Sequence, residues 1–376
     1  MLSIGVMRFL RVCLILLFLS RAALAAELIQ LGETVRSFGM GGVRVYGPND
    51  AGTFLSNPAA LSYMKGMNLE IFNMNLGVNG VQAYNDFKNV NLSGPSSFSQ
   101  LYGKHLWVGG QGYASFTLPY FGFAAYDQAY IDFLLHNPAY PTLDMTYLND
   151  YALALGGSIP LGPGGSFGIT AKRINRVGGP QQIGPSILNS ATLTSKQLID
   201  QFQNKGSAYG LDMGLMYKLP VPLNPTLSLA WQDVGSTAFI MSGGSTAPER
   251  IKDNLTMSAT FEQELLLAGI AGGIEYRHIT DNNEQFGKKV HLGAEVSLLM
   301  FDFRAGFYQG YTTYGAGLDL WLMQLDVASY TVERGAYPGQ TPDQRLQFGL
   351  NMNFSFDPDF NLTDMGGKKR RLKQRR

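Results

Sequence analysis

The sequence predicts an all-β protein, a transmembrane antiparallel β-barrel of about fourteen strands. Three observations predict this fold. Apolar and polar residues alternate along most of the chain, which is typical of strands whose two faces meet different surroundings. Short connections between the expected strands alternate with longer ones, as in bacterial outer-membrane barrels. Charged residues make up only 15% of the chain, against about 25% in soluble domains, and glycine, tyrosine and phenylalanine are abundant.

The charged residues indicate which face of each strand meets lipid. Alternation alone does not, because a soluble sandwich shows the same pattern. Tyr209 and Tyr217 stand at the two ends of one apolar face, spaced as the aromatic girdles of a membrane barrel are. The opposite faces carry Asp212, Glu275, Arg277, Glu295, Asp302, Arg304, Asp319 and Asp326. Since those charges need polar surroundings, we expect an apolar exterior and a polar lumen.

The barrel is expected to occupy residues 67–356. The expected strands lie near residues 67–79, 113–124, 126–135, 148–160, 166–176, 207–219, 226–234, 252–263, 266–279, 288–298, 301–309, 312–320, 323–333 and 343–356. Tight connections are expected at 161–165, 220–225, 263–265 and 299–300, and longer ones at 80–112, 177–206, 235–251 and 334–342. An even strand number puts both ends of the barrel on one side, with the short turns in the periplasm.

Residues 1–25 have the pattern of a secretory signal peptide. Arg8 and Arg11 precede an almost wholly apolar run, and Ala23-Leu24-Ala25 has the small-residue pattern of a cleavage site. The run is shorter than the roughly 20 residues of a membrane-spanning helix. Cys13, the only cysteine, lies in this segment, so we expect a mature chain without cysteine catalysis or a thiolate metal site.

Residues 26–66 are expected to fold as a plug inside the barrel. Glycines between Ser37 and Tyr46 permit close backbone approaches, and Asn57-Pro58 is a turn signal. This pattern indicates compact, irregular backbone. The alternative is two ordinary turns of a soluble β protein.

This segment resembles the N-terminal segment of the FadL/TodX-type outer-membrane superfamily. The resemblance rests on a Gly-Gly run, an Asp-Ala pair and an Asn-Pro-Ala triplet, matched by Gly41, Gly42, Asp50, Ala51, Asn57, Pro58 and Ala59. It implies a hatch that controls diffusive uptake of hydrophobic, fatty-acid-like small molecules across the outer membrane of a Gram-negative bacterium. Ala60 stands where that family usually has glycine, which puts flexibility at this point in doubt.

A second function class stays open. The PorV-like branch of the same superfamily shares the Gly-Gly and Asn-Pro-Ala signature and serves protein secretion and surface attachment. A continuous apolar path through the lumen would favour transport, whereas a sealed, ion-paired lumen with exposed loop aromatics would favour a protein partner. The expected partners are therefore outer-membrane lipid and either a hydrophobic ligand or a secreted or secretion-machinery protein. A general porin fits less well, because a plug would block a water channel.

Two long connections carry candidate ligand or partner contacts. Residues 194–202 predict a short helix with Leu198 and Phe202 on one face, which could contact a ligand or simply pin the loop to its neighbours. Trp107 belongs to the aromatic-rich stretch 80–112, which we interpret as a loop able to gather an oily ligand or a partner.

The sequence offers no enzymatic chemistry. Residues 164–168 match G-x-S-x-G, but that nucleophile needs a strand-to-helix turn, and here a hairpin is expected. The four histidines lack metal-ligand spacing, so no metal or cofactor is expected. A net charge of +1 argues against nucleic acid as a partner. The basic block within residues 357–376 predicts a solvated periplasmic tail or an electrostatic contact.

Overall fold

The computed structural model describes residues 32–46, 51–79, 102–136, 140, 142–184, 202–265, 268–320 and 322–356. The expected signal peptide and the basic tail lie outside these residues, as do most of the longest connections. None of the helices in these ranges is long and apolar enough to cross a membrane.

The described strands form one antiparallel sheet that closes on itself. Fourteen strands make the ring, in chain order, and the short β8 pairs only with β6. Closure is made by β1, which pairs with β2 on one side and β15 on the other. The strands are β1 Met67–Val78, β2 His105–Leu118, β3 Phe121–His136, β4 Thr142–Pro160, β5 Gly165–Ile183, β6 Lys205–Lys218, β7 Thr226–Gln232, β8 Ile240–Gly243, β9 Asn254–Glu264, β10 Ala268–Tyr276, β11 Val290–Leu298, β12 Phe301–Tyr308, β13 Tyr311–Leu320, β14 Met323–Glu333 and β15 Pro342–Phe356. The closed barrel and its strand number are as the sequence predicts.

In the ranges that the structure describes, four short helices accompany the strands. The helix α1 is Val35–Gly39, and two 3₁₀ helices follow it at Ala51–Leu55 and Pro58–Tyr63. The helix α2, Phe286–Lys289, lies between β10 and β11.

Several strand boundaries were predicted wrongly: β4 begins earlier and β5 ends later than expected, and the turn between the second and third strands was misplaced. The expected strand 113–124 runs through the true turn, which is Pro119-Tyr120 between β2 and β3. Proline has no N–H for the ladder, so Pro119 ends the strand, and Tyr120 has a φ of 70°. The apolar alternation changes phase there. At its other end β2 begins at His105, so the connection after β1 is shorter than the predicted loop 80–112.

The two faces of the wall have the expected polarity. On β6, Tyr209 is 78% exposed and Tyr217 45%, whereas Asp212 between them is fully buried. The other charges predicted for the lumen are likewise buried or half-buried. The apolar exterior and the polar interior are therefore confirmed.

The connections differ in length between the two ends of the barrel. Six short ones join β2–β3, β4–β5, β6–β7, β9–β10, β11–β12 and β13–β14 at one end, where β1 begins and β15 ends. The longest ones follow β1, β5 and β7 at the other end. One hairpin departs from this pattern: β12 and β13 meet through Gln309-Gly310, both with positive φ, as a two-residue turn requires.

Candidate functional site

The residues before β1 fall into two buried stretches, residues 32–46 (the first arm) and 51–64 (the second arm). The first arm contains α1, whose start is capped reciprocally by Thr34 and Ser37. The second arm contains both 3₁₀ helices, and Asn57 caps the second of them by accepting a 3.0 Å hydrogen bond from Ala59 N. Most side chains of both arms are buried.

The backbone of the first arm packs directly against the wall at β11, β12 and β13. Gly41 has a φ of 66°, and a Cβ there would overlap the Leu292 carbonyl oxygen and Phe307 N. The contact is mutual, because a Cβ on Gly306 would overlap Gly41 N. Gly41 N donates a 2.9 Å hydrogen bond to Thr313 Oγ1. Glycine at both positions therefore allows the arm to lie directly against the wall.

One buried ion-pair cluster links α1 to the wall. Arg36 Nη2 lies 2.9 Å from Glu295 Oε1, and Arg304 Nε lies 2.6 Å from the other oxygen of the same carboxylate. Arg304 also pairs with Asp302 at 3.1 Å and with Asp326 at 2.5 Å. The Arg304 guanidinium is thus surrounded by three carboxylates.

A second cluster holds the end of the first arm. Arg44 Nη2 lies 2.5 Å and Arg277 Nε 2.7 Å from Glu275 Oε1. Arg277 also pairs with Glu33 and donates a hydrogen bond to the Gly42 carbonyl. Burial raises the pKa of the Glu33 carboxyl, and the Arg277 guanidinium opposes that rise. The first arm therefore contributes one acid and two bases to buried networks with the wall.

The second arm contacts β1 to β7 and carries no charged residue. A Cβ on Gly214 would overlap Asn57 Oδ1, and one on Gly168 would overlap the Pro58 carbonyl. Ser166 Oγ donates to the Ala59 carbonyl at 3.0 Å. Here the wall glycines make room for the Asn-Pro-Ala triplet.

Apolar contacts also hold the second arm against the wall. Phe54 and Leu61 are fully buried and contact Gly122 of β3 and Gly156 of β4, where a Cβ would stand 2.8–2.9 Å from one of the two side chains. Ser62 Oγ donates to Ser158 Oγ at 2.8 Å. The second arm is thus held by neutral hydrogen bonds and packing.

Some of the predicted site residues contact the wall, and others lie outside the described residues. Gly41, Gly42, Asn57, Pro58 and Ala59 all contact the inner face of the wall. Asp50 and Leu198 lie outside the described residues, and so does the side chain of Ala51. The wall glycines opposite the arms were missed, because nothing in the alternation distinguishes them from other inward positions.

Two predicted loop contacts can be placed. Phe202 is buried, and its ring packs edge-on against Tyr147 at 6.0 Å between centroids. Trp107 is not in a loop: it is an inward-facing residue of β2, because the strand begins at His105. Its ring lies under the Arg345 guanidinium, 3.8 Å from the ring centre.

An internal cavity of about 60 Å³ adjoins the first arm. Glu33 and Phe38 of the arm line it together with residues from β2, β3, β12, β14 and β15, and with Gln309 of the turn after β12. Most of these strand residues lie in the halves nearer the long connections. Within the described ranges, no group of three or more His, Cys, Asp or Glu side chains could hold a metal ion.

The barrel was compared with solved structures. It matches a deltaS2S3 mutant of the monoaromatic hydrocarbon channel TodX with a TM-score of 0.50 and 12% identity, covering 87% of this chain and 99% of that one. It matches the monoaromatic hydrocarbon channel CymD with the same TM-score and identity, covering 88% and 98%. The chain has the fold of these FadL-type outer-membrane channels.

The two alignments cover most of this chain and nearly the whole of each channel. The toluene transporter TbuX of Ralstonia pickettii aligns with a TM-score of 0.48 and 11% identity, covering 88% of this chain and 100% of that one. No protein-family model matches the chain, and no curated protein does. TodX and CymD are channels, and this chain shares their closed-barrel fold.

Proposed function

We propose that the protein is a diffusive channel of the Gram-negative outer membrane for hydrophobic, fatty-acid-like small molecules, with residues 32–64 as its plug. The apolar exterior of the barrel supports the membrane location, because lipid-facing residues alternate with lumen-facing ones in such barrels. TodX and CymD, which share the fold, are monoaromatic hydrocarbon channels.

The observation that carries the plug is the position of α1 and of the second 3₁₀ helix on opposite arcs of the ring. Helix α1 of the first arm contacts β12 to β15, and the second 3₁₀ helix contacts β4 to β6. Because β8 stands outside the ring, β5 and β13 are seven strands apart in a ring of fourteen. A chain that touches both arcs through inward-facing side chains has to cross the lumen.

The two arms are held to the wall by different kinds of interaction, and this difference supports movement of the second arm. Separating the first arm from the wall would leave Glu295, Glu275 and Arg277 with fewer partners in buried surroundings, and breaking a buried ion pair costs about 3–5 kcal/mol. The second arm has only neutral hydrogen bonds and packing to break, and a typical hydrogen bond contributes about 1 kcal/mol. We therefore assign gating to residues 51–64 and anchoring to residues 32–46.

The test is uptake of a labelled fatty acid and of labelled toluene into liposomes that contain the purified protein. We expect uptake by the wild type and faster uptake by the Asn57→Ala, Pro58→Ala double variant, because it removes the cap and the turn of the second arm. The matched control is Asn224→Ala, Pro225→Ala, which changes the same dipeptide in the β6–β7 turn, and it should behave as the wild type.

One observation favours the PorV-like alternative, a partner in protein secretion. Buried ion pairs lie on the inner face where the first arm meets the wall, and the cavity beside the first arm holds only about 60 Å³. Absence of uptake by the wild type and by the Asn57→Ala, Pro58→Ala variant would reject the channel and leave the secretion partner.

A further inference from the structure

The outer face of the barrel carries an apolar groove of about 690 Å³ over β5, β6, β7, β9 and β10. Two rows of outward-facing side chains border it, and neighbours within each row are paired across adjacent strands. One row consists of Tyr217, Leu227, Ala259 and Ile274. The other row consists of Leu215, Leu229, Met257 and Tyr276. Because paired residues lie side by side, the groove runs across the strands rather than along them.

The floor of the groove is the backbone of the wall. Its residues lie between the two rows, and their side chains point inward and are buried: Ser166, Met216, Ser228 and Ser258. The second arm contacts two of them from inside, because Ser166 Oγ donates to the Ala59 carbonyl at 3.0 Å and Met216 packs on Ala59 and Ala60. The hydroxyls of the other two residues are hydrogen-bonded to each other at 2.6 Å. Contacts on the inner side therefore hold the floor in place.

The width of the groove selects what fits in it. Leu215 and Tyr217 stand in opposite rows on the same strand, two positions apart, which is about 6.6 Å along a strand. An α-helix with its side chains is about 10–12 Å wide, so a helix of a partner protein does not enter the groove. The flat wall of a second barrel would bridge the groove rather than fill it. A single hydrocarbon chain is narrow enough to lie along the floor.

The direction of the groove matches one leaflet of the membrane. Its lower end is at Gly165 and Tyr217, which are paired beside the short turns β4–β5 and β6–β7, and its upper end is at Ile274, toward the opposite end of β10. Five strands spaced about 4.8 Å apart give the groove a length of about 19 Å. Strands of outer-membrane barrels tilt by about 40°, so a groove across them rises about 12 Å, half of the apolar band of about 25 Å.

A cation stands at the lower end of the groove. The two turns there, residues 161–165 and 218–225, contain Lys218 as their one charged residue, and Lys218 is exposed. Lys218 N donates to the Gly164 carbonyl at 2.7 Å and so joins the two turns. An aromatic ring at the membrane interface, here Tyr217, beside an exposed ammonium is suited to a lipid phosphate.

We propose that this groove is a binding site for one phospholipid of the periplasmic leaflet. One acyl chain lies along the floor between the two rows, and the phosphate contacts the Lys218 ammonium. The observation that selects this ligand is the match in width between the groove and one hydrocarbon chain. The proposal needs only the barrel in its membrane and does not depend on the channel function.

The test is titration of the purified barrel in detergent with palmitoyl-oleoyl phosphatidylglycerol, followed by native mass spectrometry. We expect saturable binding of one phospholipid per barrel, with any further lipid bound much more weakly. Diacylglycerol with the same two chains lacks the phosphate and should bind about twofold to fivefold more weakly, as expected for loss of an exposed ion pair.

Two variants and their matched controls assign the binding to the groove. Ala259→Phe places a ring across the groove and should weaken phospholipid binding about tenfold or more, since each methylene displaced from an apolar site costs about fourfold in affinity. Ala305→Phe, at an exposed position of β12, should leave the affinity unchanged. Lys218→Gln should weaken binding about twofold to fivefold, whereas Lys65→Gln, at an exposed position before β1, should not. Heat-modified migration on a gel verifies that every variant forms its barrel.

The outcomes distinguish the phospholipid from other occupants. Equal binding by the wild type, Ala259→Phe and Ala305→Phe would overturn the site and would mean that ordinary lipid covers the whole outer face alike. Barrel dimers that Ala259→Phe dissociates would also overturn it, because a second copy would then cover the groove. Toluene uptake by the same preparations tests the channel independently, so either proposal can fail while the other stands.

Discussion

Gly214 of β6 and Asn57 of the second arm are packed so closely that a Cβ on Gly214 would overlap the Asn57 side-chain oxygen. That oxygen caps the second 3₁₀ helix, and the Asn57 side chain is fully buried. The residue at position 214 therefore determines whether Asn57 can cap the helix in its present position. An added methyl group at position 214 should displace the second arm although the sequence of the arm is unchanged.

We expect Gly214→Ala to displace the second arm and to accelerate toluene uptake in liposomes. Overpacking of this kind costs about 1–3 kcal/mol, comparable to the neutral contacts that hold the arm. Gly157→Ala is the matched control, because a Cβ there would meet nothing nearer than the Tyr120 carbonyl oxygen at 4.0 Å. Unchanged uptake in both variants would show that this contact does not hold the gate.

A reversible crosslink tests whether the second arm moves. Ser62 Oγ and Ser158 Oγ lie 2.8 Å apart, one on the second 3₁₀ helix and the other on β4. Cys13, the only cysteine of the chain, lies in the expected signal peptide, so a mature Ser62→Cys, Ser158→Cys variant can form one defined bond. Oxidation should abolish uptake and reduction should restore it, whereas the single variants should not respond. Full uptake by the oxidised form would contradict a moving second arm.

The Arg304 cluster predicts a stability effect. Arg304→Met removes the guanidinium that faces Glu295, Asp302 and Asp326 and leaves these carboxylates buried with fewer cationic partners. We expect the free energy of unfolding in guanidinium chloride to fall by about 3–5 kcal/mol. Arg173→Met, at an exposed position of β5, should change it by less than about 0.5 kcal/mol. An equal effect of the two substitutions would mean that the cluster does not stabilise the barrel.

Much of the fold is predictable because a barrel is specified locally. Each strand has one face toward lipid and one toward the lumen, so the period of two appears in every segment, and the connections mark their ends. The wrong boundary at Pro119 arose where two apolar alternations meet across a two-residue turn, which is marked only by a change of phase and not by a polar stretch.

Of the candidate site, only the residues of the two N-terminal arms were predictable from the sequence. The Gly-Gly and Asn-Pro-Ala motifs are contiguous in sequence, and Gly41, Gly42, Asn57, Pro58 and Ala59 do contact the wall. Their partners Gly168, Gly214 and Gly306 are separated from them by at least about 100 residues, and a glycine in a strand carries no sign of what it faces.

The sequence by itself determined the barrel, the polarity of its two faces and the presence of an irregular N-terminal segment, since these depend on local patterns of side chains. Only the tertiary structure decided which charges meet and which glycines receive the arms, because barrel closure brings together residues from distant strands. It also moved Trp107 from an expected loop to the inner wall beside Gln347. The cavity that the two residues share exists only once β1, β2 and β15 are paired.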